Sequence, residues 1–191
     1  MLIAYTRSPG RGNTDRVLAR LAARLTARGL RLVGTVQINT EQAESGPCDM
    51  DVKVLPAGPV IRISQDLGPA ARGCRLDPMA LETAVGLTES RLGSGAHALI
   101  VNKFGKHEAE GRGFRSTIAE ALGRGLPVLV GLNGLNQDAF HAFSGGEAIE
   151  LTSEVHVLEN WLRAAIEGNA GVAEISSQNL HQTFLEQSTW K

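Results

Sequence analysis

Arg7-Ser8-Pro9-Gly10-Arg11-Gly12-Asn13-Thr14 puts two arginines, two hydroxyls and two glycines into eight residues. Glycines let successive backbone N–H groups turn toward one point, and arginines add positive charge there. The chemistry this suggests is the holding of an anion. The residues before the loop, Leu2 to Thr6, form a short apolar run of a length suited to one buried strand. After it, Val17, Leu18, Leu21, Ala22 and Leu25 recur at helical spacing, with Arg16, Arg20, Arg24 and Arg28 between them. Thr14 suits a helix N-cap and Gly29 a C-terminal stop. A strand, a glycine loop and a helix in succession place the positive end of the helix where a phosphate would sit. The plainer reading is an ordinary strand-to-helix connection with no ligand.

The spacing can be set against the phosphate loop Gly-x-x-x-x-Gly-Lys-Ser/Thr. Aligned on Gly12-Asn13-Thr14, the first glycine position holds Arg7 and the lysine position holds Asn13. The loop is therefore a degenerate copy. Thr14 keeps the hydroxyl that would meet Mg2+, and Arg7 or Arg11 could bring the charge that the missing lysine does not.

Two further stretches carry chemistry. Asn102-Lys103-Phe104-Gly105-Lys106-His107-Glu108-Ala109-Glu110-Gly111-Arg112-Gly113 offers cations for phosphate, a carboxylate for Mg2+ or water, and a titratable histidine. Read plainly, it is a solvated loop whose charges offset one another. In Cys74-Arg75-Leu76-Asp77, Arg75 could meet an oxyanion with two hydrogen bonds, and Asp77 could orient it. Cys74, with Cys48, could bind a soft metal or a molybdenum centre. The plainer reading makes Cys74 a small buried hydrophobe and Asp77-Pro78 a helix cap. Two cysteines so far apart do not make a zinc site. His97 reads as a core histidine within a strand, His141 and His156 lack ligand spacing, and Ser8 and Ser64 have no visible base. Trp161 reads as core.

These residues need a frame. At 191 residues the chain is long enough for one domain with a sizeable core. A formal charge of −1 with 4% aromatics gives no drive toward nucleic acid or anionic membrane. No run is long enough to span a bilayer, and the start lacks the pattern of a signal peptide, so a cytoplasmic protein with reduced thiols is expected. Strands are expected at Leu2–Thr6, Arg31–Ile38, Ala96–Val101, Leu126–Leu132 and Ala148–Leu151. Helices are expected at Thr14–Gly29, Met79–Leu92, Phe114–Gly123, Asn136–Phe143 and Glu154–Glu167. Met50–Leu55 and Val60–Ser64 alternate around Pro56-Ala57-Gly58-Pro59, which predicts a hairpin with one wet face. Thr40–Pro47, Gln65–Pro78 and Asn102–Gly113 read as loops, the last two long enough to suggest function. Alternating strands and helices imply a three-layer α/β fold over residues 1–168, with a mostly parallel sheet and an inserted hairpin. Residues 169–191 read as a polar tail, or as an arm docking on a second copy. Ligands of such folds bind beyond the carboxyl ends of the strands.

The order of these strings resembles one bacterial family. Ile63-Ser64-Gln65 is followed by Gly73-Cys74-Arg75-Leu76-Asp77, then by Val101-Asn102-Lys103-Phe104-Gly105-Lys106-x-Glu108. Gly111-Arg112-Gly113-Phe114 and Pro127-Val128-Leu129-Val130-Gly131 complete the pattern. Over roughly Leu2 to Leu162 the chain is similar to the family catalogued as domain of unknown function (DUF) 2478. The resemblance implies a relative of P-loop nucleoside triphosphatases that carry a similar hairpin, in a family linked with molybdenum uptake and molybdoenzyme genes.

It also places Asn102 where the metal-binding acid of a Walker-B strand would stand. Glu108, the nearest carboxylate, is then expected as the catalytic group and, with Thr14, as a Mg2+ ligand. The phosphate-binding set implied is Arg7, Ser8, Gly10, Arg11, Gly12, Asn13 and Thr14, completed by Arg75, Asn102, Lys103, Lys106 and Arg112. Asn13 for lysine and Asn102 for the acid remove two parts of the phosphoryl-transfer apparatus, so binding of ATP or GTP with slow or no hydrolysis is expected. A nucleotide also needs an apolar slot for its base, expected near Asn133–Phe143. The other function left open is a non-enzymatic pocket for molybdate, tungstate or a molybdenum cofactor.

Overall fold

The computed structural model describes residues 2–10, 12–40, 49–65 and 75–168. Arg11, Cys48, Cys74 and the tail 169–191 lie outside the described residues, and with them the expectations placed on them. In chain order the elements are β1 (Ile3–Thr6), α1 (Asn13–Ala27), β2 (Leu32–Thr40), β3 (Asp49–Leu55), β4 (Val60–Arg62) and α2 (Pro78–Leu92). β5 (Ala98–Phe104), α3 (Lys106–Ala109), α4 (Arg115–Gly123) and β6 (Val128–Leu132) follow. A 3-10 turn (Gly134–Asn136), α5 (Gln137–Phe143), β7 (Ile149–Leu151) and a last helix, α6 (155–168), complete the order.

Among the described residues, seven strands form one sheet in the order β4-β3-β2-β5-β6-β1-β7. β2, β5, β6, β1 and β7 run parallel, while β3 and β4 fold back antiparallel at one edge as the expected hairpin. The central parallel strands β1 and β6 are buried along their whole length because helices cover both of their faces. Side chains of a strand alternate between faces, and β5 shows the division. Ala98 and Ile100 pack with Leu18, Leu21 and Leu25 of α1 and Leu158 and Leu162 of α6. Leu99 and Val101 pack on the opposite face with Val85 of α2, Ile118 of α4 and Phe140 of α5. Val52 and Val54 carry this second layer under α2 with Ile63 and Ala84. The architecture is α/β in three layers, as expected.

Several boundaries differ from the sequence expectations for physical reasons. α1 begins at Asn13, and its N-cap is Gly12 with φ 75°, not Thr14. A left-handed residue turns the chain into the helix there, which leaves the Thr14 hydroxyl for another partner. β5 continues through Asn102, Lys103 and Phe104, which were expected in a loop. Phe104 is fully buried, and that burial draws the charged Lys103 into the strand between two covered neighbours. One helical turn, α3, lies inside the remaining loop. His97 precedes β5 instead of lying within it. It is only partly covered, and its Nδ1 accepts the Arg31 N–H at 2.8 Å. No helix among the described residues is long and apolar enough to cross a membrane.

Candidate functional site

The connection from β1 through α1 crosses to β2 on one side, whereas β6 connects through α5 to β7 on the other. Adjacent strands whose connections leave in opposite directions open a crevice at their carboxyl ends. A cleft of about 1500 Å³ lies there. Its wall brings together the loop after β1, the ends of β2 and β5, the Gly131–Gly134 segment at and beyond the end of β6, and Glu150–Glu154 at and beyond β7.

The glycine loop is held shut by its own side chains. Gly10 (φ 87°) and Gly12 (φ 75°) both adopt left-handed backbone, which other residues reach at a cost. Ser8 donates its N–H to the Thr14 hydroxyl at 3.0 Å. The Asn13 amide donates to the Pro9 carbonyl at 2.5 Å and accepts from Arg16 at 3.1 Å. Asn13, where a phosphate-reaching lysine would stand, therefore closes the loop. The N-cap of α1, Gly12, has no side chain to offer the first N–H groups of the helix, which by geometry lack intrahelical acceptors, and this end of the helix lines the cleft at Gly12, Thr14 and Asp15.

Arg7 leaves the loop toward β7. Its Nε donates to Glu150 at 2.8 Å, and its other arm reaches Gln137 at 2.9 Å. Tyr5 donates its hydroxyl to the second Glu150 oxygen at 3.0 Å. The Arg7 bond, then the Tyr5 bond, hold the Glu150 carboxyl below its usual range. Burial, then the neighbouring carboxylate, push the Tyr5 phenol up. The Ser8 hydroxyl bonds to that of Ser153, and Thr6 donates to the Leu151 carbonyl at 3.0 Å, so β7 braces the loop.

On the opposite wall, Asn102 is 4% exposed. Its Oδ1 accepts the Gln37 N–H at 2.9 Å, and its Nδ2 donates to the Asp15 carboxylate at 2.9 Å. Lys103, exposed on the same strand, also lines the cleft.

Of the residues singled out in the sequence, Arg7, Ser8, Gly10, Gly12, Thr14, Asn102 and Lys103 meet in this cleft, and Asn13 shapes its loop. Arg75, Lys106, Glu108 and Arg112 do not line it. Glu108 is 3% exposed and committed to the backbone, accepting from the Gly105 N–H at 2.8 Å and the Phe114 N–H at 3.2 Å. Such a carboxylate caps α3 and fastens the following turn. Lys106 pairs with Glu110 at 3.6 Å and Arg112 pairs with the same carboxylate. The Arg112 bond, assisted by Lys106, holds that carboxyl below its usual range. Arg75 donates to the Gln65 carbonyl at 3.0 Å, and Asp77 caps α2 through the Met79 N–H at 2.9 Å.

The base slot expected over Asn133–Phe143 reaches the cleft only through Asn133 and Gly134, because Phe140 is packed against Tyr5 and Phe104. Asp15, Arg16 and the Thr152-Ser153-Glu154 turn were not singled out, yet all of them line the cleft. The rule that flagged the other strand ends would have flagged the turn. Asp15 had a weaker signal, a carboxylate directly after the Thr14 hydroxyl. Among the described residues three cations (Arg7, Arg16, Lys103) face three carboxylates (Asp15, Glu150, Glu154), so the wall is balanced in charge. The described residues contain no cluster of three or more His, Cys, Asp or Glu suited to a metal.

A five-strand parallel core with a glycine loop after its first strand and a crevice at the switch point defines a P-loop nucleoside-triphosphatase-like fold. The solution structure of a human cancer-related nucleoside triphosphatase shares it, with a TM-score of 0.56 at 17% identity, covering 86% of this chain and 97% of that one. The chain belongs to the family described as "Protein of unknown function (DUF2478)", whose model matches residues 3–161. It is also 35% identical over 149 residues to the molybdenum import ATP-binding protein ModC 2 of Bradyrhizobium diazoefficiens strain USDA 110. That match takes in 78% of this chain but only 17% of the relative's length.

Proposed function

We propose that the cleft binds a nucleoside di- or triphosphate together with Mg2+, its phosphates at Gly10–Thr14, with hydrolysis slow or absent. The observation that carries this reading is the N-terminus of α1, with a glycine as its N-cap, lining a cleft of about 1500 Å³ behind a glycine loop. Drug-sized ligands occupy clefts of roughly 300–1,000 Å³, so a lone tetrahedral oxyanion would leave most of this space unused. Mg2+ asks for few protein oxygens, commonly one or two carboxylates beside the phosphates. The Thr14 hydroxyl and the Asp15 carboxylate, consecutive on the first turn of α1, fit that need. Glu108, committed to two backbone donors, does not.

Slow turnover follows from what the loop lacks. Asn13 cannot carry positive charge to a γ-phosphate, and Arg7 is already neutralised by Glu150. Losing one preorganised electrostatic contributor typically costs about 10²–10³ in rate. A role beside molybdenum metabolism is part of the proposal, supported by likeness to a molybdenum import ATP-binding protein over a small share of that protein.

The test is a thermal-shift series with ATP, GTP, ADP and GDP, with and without Mg2+, and then with molybdate, tungstate, sulfate and phosphate. A nucleotide at a hundred times its Kd should add about 2.7 kcal/mol of stability. That shift should shrink in Arg7→Ala and Lys103→Ala. Stabilisation by molybdate or tungstate with none by nucleotides would replace this reading with an oxyanion pocket.

A further inference from the structure

The two asparagines that replace the lysine and the acid of the phosphate-binding apparatus are not equivalent. Asn13 is spent on the loop, whereas Asn102 is aimed. The Asn102 amide oxygen accepts the backbone N–H of Gln37, which forces its NH2 group to face away from that donor and toward Asp15. Buried at 4% exposure, this amide has its orientation fixed by the strand beside it. It therefore works as a clamp that presents the Asp15 carboxylate to the cleft.

We propose that Asp15 is the metal-binding acid of this site, moved from the end of β5 onto the first turn of α1, with Asn102 as its positioning residue. This inference rests on the nucleotide reading above and deepens it. A carboxylate carries about four lone-pair sites, so the bond from the Asn102 amide is compatible with a place in a metal's shell. Metal-ligating carboxylates are commonly oriented by such a partner. The Thr14 hydroxyl lines the same cleft and is the other protein oxygen at this end of α1.

The placement has a consequence that a merely structural acid would not have. A carboxylate on the same helix turn that receives phosphates repels them unless a divalent cation lies between. With no lysine in the loop to offset this, Asp15 makes the site select for the metal-bound nucleotide over the free one. A helix-stabilising role alone predicts no such selectivity, only a change in melting temperature.

The experiment measures ATP affinity by isothermal titration with and without Mg2+ for wild type, Asp15→Asn and Asn102→Ala. Mn2+ replaces Mg2+ in a parallel electron paramagnetic resonance series on the same proteins. Wild type should bind ATP more tightly with metal. Asp15→Asn should bind metal-free ATP at least as tightly as wild type and lose the gain from Mg2+, a change of roughly tenfold or more. The Mn2+ signal on the ATP complex should change with it. Asn102→Ala should show the same loss to a smaller degree, because the carboxylate stays while its clamp goes. An Mg2+ gain in Asp15→Asn equal to wild type overturns the assignment of the metal while leaving nucleotide binding in place. No ATP binding by wild type under either condition overturns the nucleotide reading and this inference together.

Discussion

At the scale of single residues, the chain separates charges that look alike in sequence. Glu108 and Asp15 are both acids near polar loops, but one faces the backbone and the other faces the cleft. Glu108→Ala should remove the acceptor of the Gly105 and Phe114 N–H groups, the second of which is buried. A buried donor left unpaired costs about 1–3 kcal/mol, so urea unfolding should show a loss of about 2 kcal/mol with nucleotide affinity unchanged. A variant of normal stability that loses nucleotide or Mg2+ binding would return Glu108 to the site. About half of the candidate site could be read from residue type and spacing alone: the glycine loop and the strand-end residues Asn102 and Lys103. Glu108, Lys106 and Arg112 misled because charge density does not reveal direction. One helical turn in α3 and the turn at Gly113 aim these side chains at each other and at the backbone. Asp15 was hard to see for the opposite reason: one acid in an arginine-rich helix, next to a threonine, is a weak signal until the fold brings Asn102 against it.

At the scale of elements, the site depends on how closely β5 and β6 approach. Gly131 lies on β6 where a Cβ would come within 2.1 Å of the Asn102 carbonyl oxygen. That neighbour is backbone in a central strand and cannot swing aside. Gly131→Ala must therefore push the strands apart at the point where Asn102 is set, and overpacking of this kind costs about 1–3 kcal/mol. The expected result is a lowered melting temperature together with weaker nucleotide binding, read by calorimetry and titration. A melting temperature equal to wild type would show that the strands yield freely. The sequence shows Gly131 only as a gap in an apolar run. The elements themselves were far more legible than this contact, because β1, β6 and α1 carry strong apolar patterns. Their ends were less so. β5 runs on through Lys103 because Phe104, beyond it, is drawn into the core by Phe140 and Phe143. α1 starts at Asn13 because a left-handed glycine, not a side-chain cap, turns the chain.

At the scale of the whole molecule, α1 and α6 are the helices that cover one face of the sheet among the described residues, and α1 follows the glycine loop. What holds α6 against α1 therefore steadies the site from behind. Leu158 and Leu162 supply the apolar part, packed with Leu18, Leu21 and Leu25. Glu159, 3% exposed, supplies the polar part. Arg24 meets its Oε2 at 2.9 Å, and Arg28 lies against Oε1 as an ion pair without an aligned hydrogen bond. The three charges are unequally placed, since both arginines are half exposed while the carboxylate is covered. Removing the arginines and removing the acid should therefore differ. Arg24→Ala with Arg28→Ala strands a buried carboxylate, and breaking a buried pair in that sense costs about 3 kcal/mol. Glu159→Gln returns two exposed arginines to water and leaves a neutral amide, so its cost should be about 1 kcal/mol. Chemical denaturation of the three proteins at neutral pH measures the asymmetry directly. Equal losses in both would mean that the carboxylate is solvated and that the leucines alone hold α6 in place.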